Sequence, residues 1–418
     1  MKTRGLIISV VLICLISINI ETQAQGVEGW KASPQVVERL SKGRTDVNYY
    51  EDKVPAYVLP DPLTGNDGRK VTSAKAWTVK RREEILGIFR ESVYGIVPTT
   101  PYTKSFNIIS TDPSAIGGTA TMKQVDITIT SGGRSLVIHL TLFTPNSKKP
   151  SPAFLLIDNR GPVNTDPTRQ KKSEFWPVEE AIARGYAMAV FYNADLDPDN
   201  FDDFRNGIHG LLDNGSRSED SWGTLAAWAW GASRCMDYLE TDKAIDSRKV
   251  AVLGHSRGGK TALWAGAEDQ RFAVVISNES GCGGAALARR KYGETVSRIN
   301  TSFPHWFCLN YRKYNDNEED MPVDMHMLLA LIAPRALYVA CADEDLWGDP
   351  KGSYLSLKNA LPVFNLFKTA GPLPESVPPM NTPLIAGKVG FHIRDGVHNL
   401  LLKDWNWYMD FTDSLWKK

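Results

Sequence analysis

Between Val250 and Ala267 the chain passes from an apolar, β-branched run through Gly254-His-Ser-Arg-Gly258 into a stretch of helical composition, Gly259-Lys-Thr-Ala-Leu-Trp-Ala-Gly-Ala267. That is a strand, a sharp bend and a helix, with G-x-S-x-G on the bend. The bend constrains everything around it. A strained backbone must push the Ser256 hydroxyl outward, and a Cβ at Gly254 or Gly258 would crowd it. The serine also opens a helix, whose free N–H groups can hold a developing oxyanion. The five-residue pattern alone is common. Between a strand and a helix it points to an exposed nucleophile rather than to a plain glycine-rich turn.

The rest of the chain supplies a sheet for that bend. Val125, Ile127 and Ile129 alternate, Ser131-Gly-Gly133 turns, and Leu136, Ile138, Leu140 and Leu142 alternate back, which predicts an antiparallel hairpin. His139 falls on the opposite face, as a half-exposed structural histidine. Ala153 to Ile157 and Tyr186 to Tyr192 are continuous apolar runs, as in strands buried on both faces. Phe272 to Ser277, Arg335 to Ala340 and Gly390 to Arg394 read as further strands. Helices are expected over Arg81–Val93, Val178–Arg184, Trp222–Leu239 and Trp405–Trp416, the first with Ile85, Ile88, Phe89 and Val93 on one face. A hairpin followed by alternating strands and helices predicts a mixed α/β fold. Its central sheet is mostly parallel and its helices cover both faces. Residues 25–76 carry weak periodicity and many turn formers, and read as an irregular arm on one domain spanning 77–418.

Forty-eight basic residues balance 48 acidic ones, so no nucleic acid or polyanionic partner is expected. The 12 tryptophans serve either as core or as platforms for sugar rings. Met1-Lys-Thr-Arg4, the apolar run Leu6 to Ile20 and Ala24 have the pattern of a secretory leader over 1–24, with cleavage after Ala24. The expected location is therefore outside the cytoplasm, secreted or periplasmic, with no membrane span once the leader is gone. Cys14 raises lipid anchoring as an alternative, but the bulky Ile13 before it disfavours that. Cys235, Cys282, Cys308 and Cys341 are widely spaced and form no C-x-x-C pair, so no zinc or other metal site is expected. Spacing cannot pair them as disulfides, and burial as small apolar residues is an equal reading.

A serine hydroxyl needs a base, and the base needs an acid to orient it. His305, His326, His392 and His398 follow Ser256 in the chain. His392 sits inside a strand and His326 in a helix or core position. His305 lies in a Phe-Pro-His-Trp loop, placed to touch substrate. His398 follows the last strand on a turn, where an imidazole can swing toward the bend. Glu279 and Asp345 both end strands, and either serves as the acid on this reading.

Taken together, Arg81-Arg-x-Glu-Ile-Leu86, Val93-Tyr-Gly-x-x-Pro98, Gly254 to Lys260, Asn278-Glu-Ser-Gly-Cys-Gly-Gly284, Phe303-Pro-His-Trp-Phe307, Asp345-Leu-Trp347 and Gly396-x-His398 resemble the glucuronoyl esterases. The resemblance runs from about Trp77 to the C-terminus. It implies an α/β-hydrolase fold and hydrolysis of esters of the glucuronic acid carboxyl group, such as those joining xylan to lignin alcohols. It implies Ser256 as nucleophile and His398 as base, with Glu279 matching the acid of fungal members and Asp345 the later acid of bacterial ones. Arg257 matches an oxyanion-supporting residue, Lys260 and Glu294 contacts to sugar hydroxyls, and Trp347 a residue packed on the sugar ring. Two departures stand out. Fungal members flank the serine and the histidine with a cysteine pair, and here those neighbours are His255 and Asn399. The segment Asp158-Asn-Arg-Gly-Pro162 also differs from the family's Gly/Asn-rich loop, which borders the acyl or alcohol pocket.

The expectation is an exported serine carboxylesterase, monomeric and without a cofactor, acting on 4-O-methyl-glucuronoyl esters of plant cell-wall glucuronoxylan or related uronic acid esters. Its rivals are a pectic uronate methyl esterase, an acetylxylan esterase on the same scaffold, and a carbohydrate-binding relative that has lost catalysis.

Overall fold

The structure is a computed structural model that describes residues 29–44, 46–213, 215 and 217–417. The leader read over 1–24, with Cys14, lies outside the described residues. Ten strands form one sheet: β1 (Thr103–Asp112), β2 (Ala120–Ser131), β3 (Arg134–Pro145), β4 (Ser151–Asp158), β5 (Ala187–Tyr192), β6 (Ile245–His255), β7 (Val274–Asn278), β8 (Ala336–Ala342), β9 (Leu384–Ala386) and β10 (Val389–Arg394). Their spatial order is β1-β2-β3-β5-β4-β6-β7-β8-β10-β9. The centre, from β5 through β10, is parallel, while β1, β2, β3 and β9 join antiparallel at the two edges.

Both faces of the central strands are buried, which is why they read as unbroken apolar runs. Along β4, Leu155 joins one core cluster and Phe154 and Leu156 the other. Along β6, Val250 and Val252 face the first, Ala251 and Leu253 the second. Helices Arg82–Phe89, Thr224–Leu239, Arg257–Glu268 and Pro350–Leu366 cover the first face. Helices Val178–Ala183 and Leu402–Trp416 cover the second, with Trp405 fully buried against Phe154. The expected α/β class is the one observed.

Among the elements that were not legible, three are instructive. β1 is an exposed edge strand with a register shift between Ile108 and Ser110. The shift breaks the alternation that would have marked it, and leaves Ile108 and Ile109 exposed. Helix Pro350–Leu366 buries ten of its 17 residues, and its solvent-facing stripe, with Lys358, Asn359 and Asn365, is interrupted by Leu355 and Pro362, so no continuous polar face announces it. The arm, expected to be irregular, contains an amphipathic helix, Pro34–Gly43. It is fastened to the domain by Trp30 N–H donating to the Val377 carbonyl at 3.0 Å and Gly293 N–H to the Asn48 carbonyl at 2.8 Å. Cys235, Cys282, Cys308 and Cys341 are buried and unpaired, as in the apolar reading. No helix among the described residues is long and apolar enough to cross a membrane.

The bend at the end of β6 has no room for side chains. A Cβ on Gly254 would stand 2.0 Å from the Gly258 carbonyl oxygen. Backbone cannot yield to that contact as a flexible side chain would. Gly254→Ala should therefore destabilise the protein by about 3 kcal/mol, the upper part of the overpacking range, read as a lower urea midpoint at unchanged slope.

Candidate active site

Ser256 sits on that bend at φ 58° and ψ −124°, a strained conformation for a residue with a Cβ. Neighbouring backbone holds it there. Ser256 N–H donates to the Asn278 carbonyl at 2.9 Å, and its own carbonyl accepts from Gly259 N–H at 2.9 Å and Lys260 N–H at 3.2 Å. A Cβ at Gly258 would lie 3.0 Å from the Ile157 carbonyl, so the helix starts pressed against the end of β4.

Of the four histidines that follow the serine, His398 is the one that shares its cavity. Ser256 and His398 line a single cavity of about 320 Å³, together with Glu279, Asp345 and Gly281. His392 is buried between Asp404 and the Tyr338 hydroxyl, 2.8 and 3.0 Å away. His326 donates to the Pro60 carbonyl at 2.8 Å. His305 does not line the cavity; its ring is turned to Asp199.

His398 Nδ1 faces two carboxylates, Asp345 Oδ2 at 2.8 Å and Glu279 Oε2 at 3.1 Å. A proton on Nδ1 is thus shared between them, which leaves Nε2 with its lone pair when the ring is neutral. Burial disfavours the imidazolium, but the hydrogen bonds and charges of Asp345 and Glu279 outweigh it and raise His398 to about 10. Burial in turn pushes the Glu279 carboxyl up to about 7, with Asp345 adding to it and His398 and Arg394 pulling the other way. Glu279 keeps its place through Arg394, whose Nη2 donates to Oε1 at 2.6 Å, and through Asn399 N–H, which donates to Oε2 at 2.9 Å.

The other wall is built of cations and rings. Lys260 is buried; its Nζ donates to the carbonyls of Ser280 and Cys282, each at 2.6 Å, and to Glu294 Oε2 at 3.1 Å. Arg257 lies over the Trp306 ring at 4.7 Å and pairs with Asp199. Asp199 also accepts from His305 Nε2 at 2.9 Å and Trp306 Nε1 at 2.8 Å. Burial alone would raise the Asp199 carboxyl, but the His305 hydrogen bond and the Arg257 charge bring it down to about 2. Trp347 lines the cavity, and Arg44 of the arm lies 4.1 Å over its ring.

Sequence reasoning missed Asp199, Arg394 and Arg160. Asp199 carried a faint signal, being one of three aspartates, Asp195, Asp197 and Asp199, that follow β5 at its carboxyl end. Among the described residues, His255, Glu279 and His398 have donor atoms close enough to hold a metal ion. Those atoms are largely committed: His255 Nδ1 to Asn278, His255 Nε2 to Arg160, and both Glu279 oxygens to Arg394, Asn399 and His398. Two guanidinium groups at that spot oppose a further cation. A larger cavity, of about 800 Å³, lies between the arm and helix Pro350–Leu366 beside Trp30 and Tyr50; Ser376 lines it, but no histidine among the described residues does.

Arg394 has almost no contact with solvent and bridges Glu279 and Asp404, both of which are also buried. Arg394→Met should cost about 3–5 kcal/mol, because it strands two buried carboxylates. Adding Glu279→Gln should restore part of that loss in urea unfolding.

The family model for fungal glucuronyl esterases matches residues 127–367 of this chain. A carbohydrate esterase from an unknown prokaryotic organism is 44% identical over 88% of this chain and 91% of its own length. The 4-O-methyl-glucuronoyl methylesterase of Schizophyllum commune is 29% identical over 73% of this chain and 72% of its own. Among solved structures, the glucuronoyl esterase from Solibacter usitatus superimposes with a TM-score of 0.82 at 43% identity, covering 87% of this chain and 100% of that one. The serine bend, the histidine that shares its cavity and these likenesses agree: the chain belongs to the glucuronoyl esterase family, carboxylic ester hydrolases of the α/β-hydrolase fold.

Proposed function

We propose that this protein hydrolyses esters of 4-O-methyl-glucuronic acid on glucuronoxylan, by a serine mechanism centred on Ser256 and His398. The observation that carries the reading is a strained, outward-turned serine sharing one cavity with a doubly carboxylate-bound histidine. The Schizophyllum commune relative, a 4-O-methyl-glucuronoyl methylesterase by name, supports the choice of acid. The apolar leader pattern supports export to where such polymers occur.

His398 Nε2 takes the Ser256 proton as Oγ attacks the C6 carbonyl carbon. The carbonyl oxygen becomes an oxyanion beside the first N–H groups of helix Arg257–Glu268 and the Arg257 guanidinium. Asp199 and the Trp306 ring fix that guanidinium before substrate arrives, so no reorganisation is needed as charge develops. His398 then returns the proton to the departing alcohol, and a water activated by the same nitrogen cleaves the acyl-enzyme. Asp345 and Glu279 share the work of orienting the ring and stabilising the imidazolium. Lys260, Glu294 and Trp347 receive the sugar: Glu294, held by Lys260, presents an acceptor to ring hydroxyls, Lys260 reaches a hydroxyl by exchanging its bond to Glu294, and Trp347 offers an apolar face. His305 contributes indirectly, by holding Asp199 against Arg257.

Turnover of benzyl glucuronate, methyl galacturonate and acetylated xylan, measured side by side, tests the substrate assignment; activity on the first should dominate, and activity on acetylxylan alone would overturn it. Ser256→Ala should lower kcat by about 10³-fold or more, which a carbohydrate-binding protein without catalysis would not show. Asp345→Asn and Glu279→Gln each remove a group that favours the imidazolium. His398 acts as a base only when neutral, so in each variant the acid limb of the kcat/KM profile should move to lower pH. The double variant should fall by about 10⁴-fold, as when an imidazole loses its orienting carboxylate altogether.

A further inference from the structure

We propose that Arg160 is a positioning residue that clasps the loop carrying His398 to the bend carrying Ser256; this rests on the catalytic reading above. Arg160 leaves the end of β4 on a turn anchored by its own neighbour. Asp158 Oδ1 accepts from Arg160 N–H at 2.8 Å and Gly161 N–H at 3.1 Å, while Oδ2 accepts from the Thr165 hydroxyl at 2.9 Å. The guanidinium lies 4.8 Å over the Phe175 ring. From there its two arms diverge. Nη1 donates to Asn399 Oδ1 at 2.6 Å, and Nη2 donates to His255 Nε2 at 3.0 Å.

His255 immediately precedes Ser256, and Asn399 immediately follows His398. One rigid fork therefore ties the residue beside the nucleophile to the residue beside the base, which stand 144 positions apart in the chain, at 255 and 399. Neither position is a cysteine, so no disulfide can make this link. Arginine has no acceptor, which fixes the His255 tautomer: Nε2 accepts, and Nδ1–H donates to Asn278 Oδ1 at 2.5 Å. Asn278 in turn donates to the Tyr408 hydroxyl at 2.8 Å, and its carbonyl receives Ser256 N–H. The His255 ring, locked on both nitrogens, lies 4.4 Å from the His398 ring and forms its floor. Lysine cannot replace the fork, because a single ammonium does not present two diverging planar donors.

Kinetics on benzyl glucuronate test this with Arg160→Ala, Arg160→Lys, Asn399→Ala and the Arg160→Ala/Asn399→Ala pair. A misplaced base costs rate rather than binding. Both Arg160 variants should lose about tenfold to a hundredfold in kcat, with KM within about twofold of the parent. The pair should lose no more than about threefold beyond Arg160→Ala, because the two residues act through one contact. Unchanged kcat, a KM rise at unchanged kcat, or losses that simply multiply in the pair would each overturn the proposal. If Arg160→Ala fails to fold, Arg160→Lys and Asn399→Ala carry the same test. Ser256→Ala in the same assay separates the two levels. If it stays active, the catalytic reading itself falls; if it is inactive while the Arg160 variants match the parent, only the clasp falls.

Discussion

A guanidinium buried under the sheet's carboxyl edge holds this site together. Arg394 at the end of β10 binds Glu279 from the end of β7, Asp404 from the last helix, and the carbonyls of Val397 and Asn399 on either side of His398. An arginine in that place would be costly alone, since removing its charge from water is repaid only by close, well-aligned partners. Here the partners come from three parts of the site: the end of β7, the last helix and the loop around His398. Satisfying the charge therefore dictates the path of the loop that carries the imidazole, and without that path His398 and Ser256 share no cavity.

The same economy recurs on the opposite wall. Lys260 and Arg257 both lie in the first turn of the helix after the serine, and both are held before any ligand binds. Lys260 is fixed by two carbonyls and Glu294, Arg257 by Asp199 and the Trp306 ring. Fixed charges of this kind stabilise a developing oxyanion or orient a sugar without paying for reorganisation at the moment of reaction. The arm takes part too, since Arg44 rests on the ring of Trp347, a cavity wall.

Much of the fold was legible because burial on both faces leaves a mark in one dimension. The runs at Ala153, Tyr186, Val250 and Arg335 announced central strands, and the hairpin at Ser131-Gly-Gly133 announced itself by alternation. The bend at Ser256 was legible because only glycine satisfies its close contacts. What stayed hidden had no periodic mark. β1 is exposed and bulged, and the solvent-facing stripe of helix Pro350–Leu366 is broken by Leu355 and Pro362. Asp199, Arg394 and Arg160 each act through a partner distant in the chain, 58, 115 and 239 residues away in the pairs Asp199–Arg257, Arg394–Glu279 and Arg160–Asn399.

The sequence by itself determined the class of fold, the position of the strained serine and the family, since these rest on local spacing and on motifs read along the chain. It pointed to His398 among four histidines as the base and narrowed the acid to two carboxylates. Only the tertiary structure decided which histidine shares the serine's cavity and showed that both carboxylates reach the same imidazole nitrogen. The reason is physical: hydrogen bonds and ion pairs act over about 3 Å, and which groups meet at that range depends on how distant strand ends are brought together by the sheet.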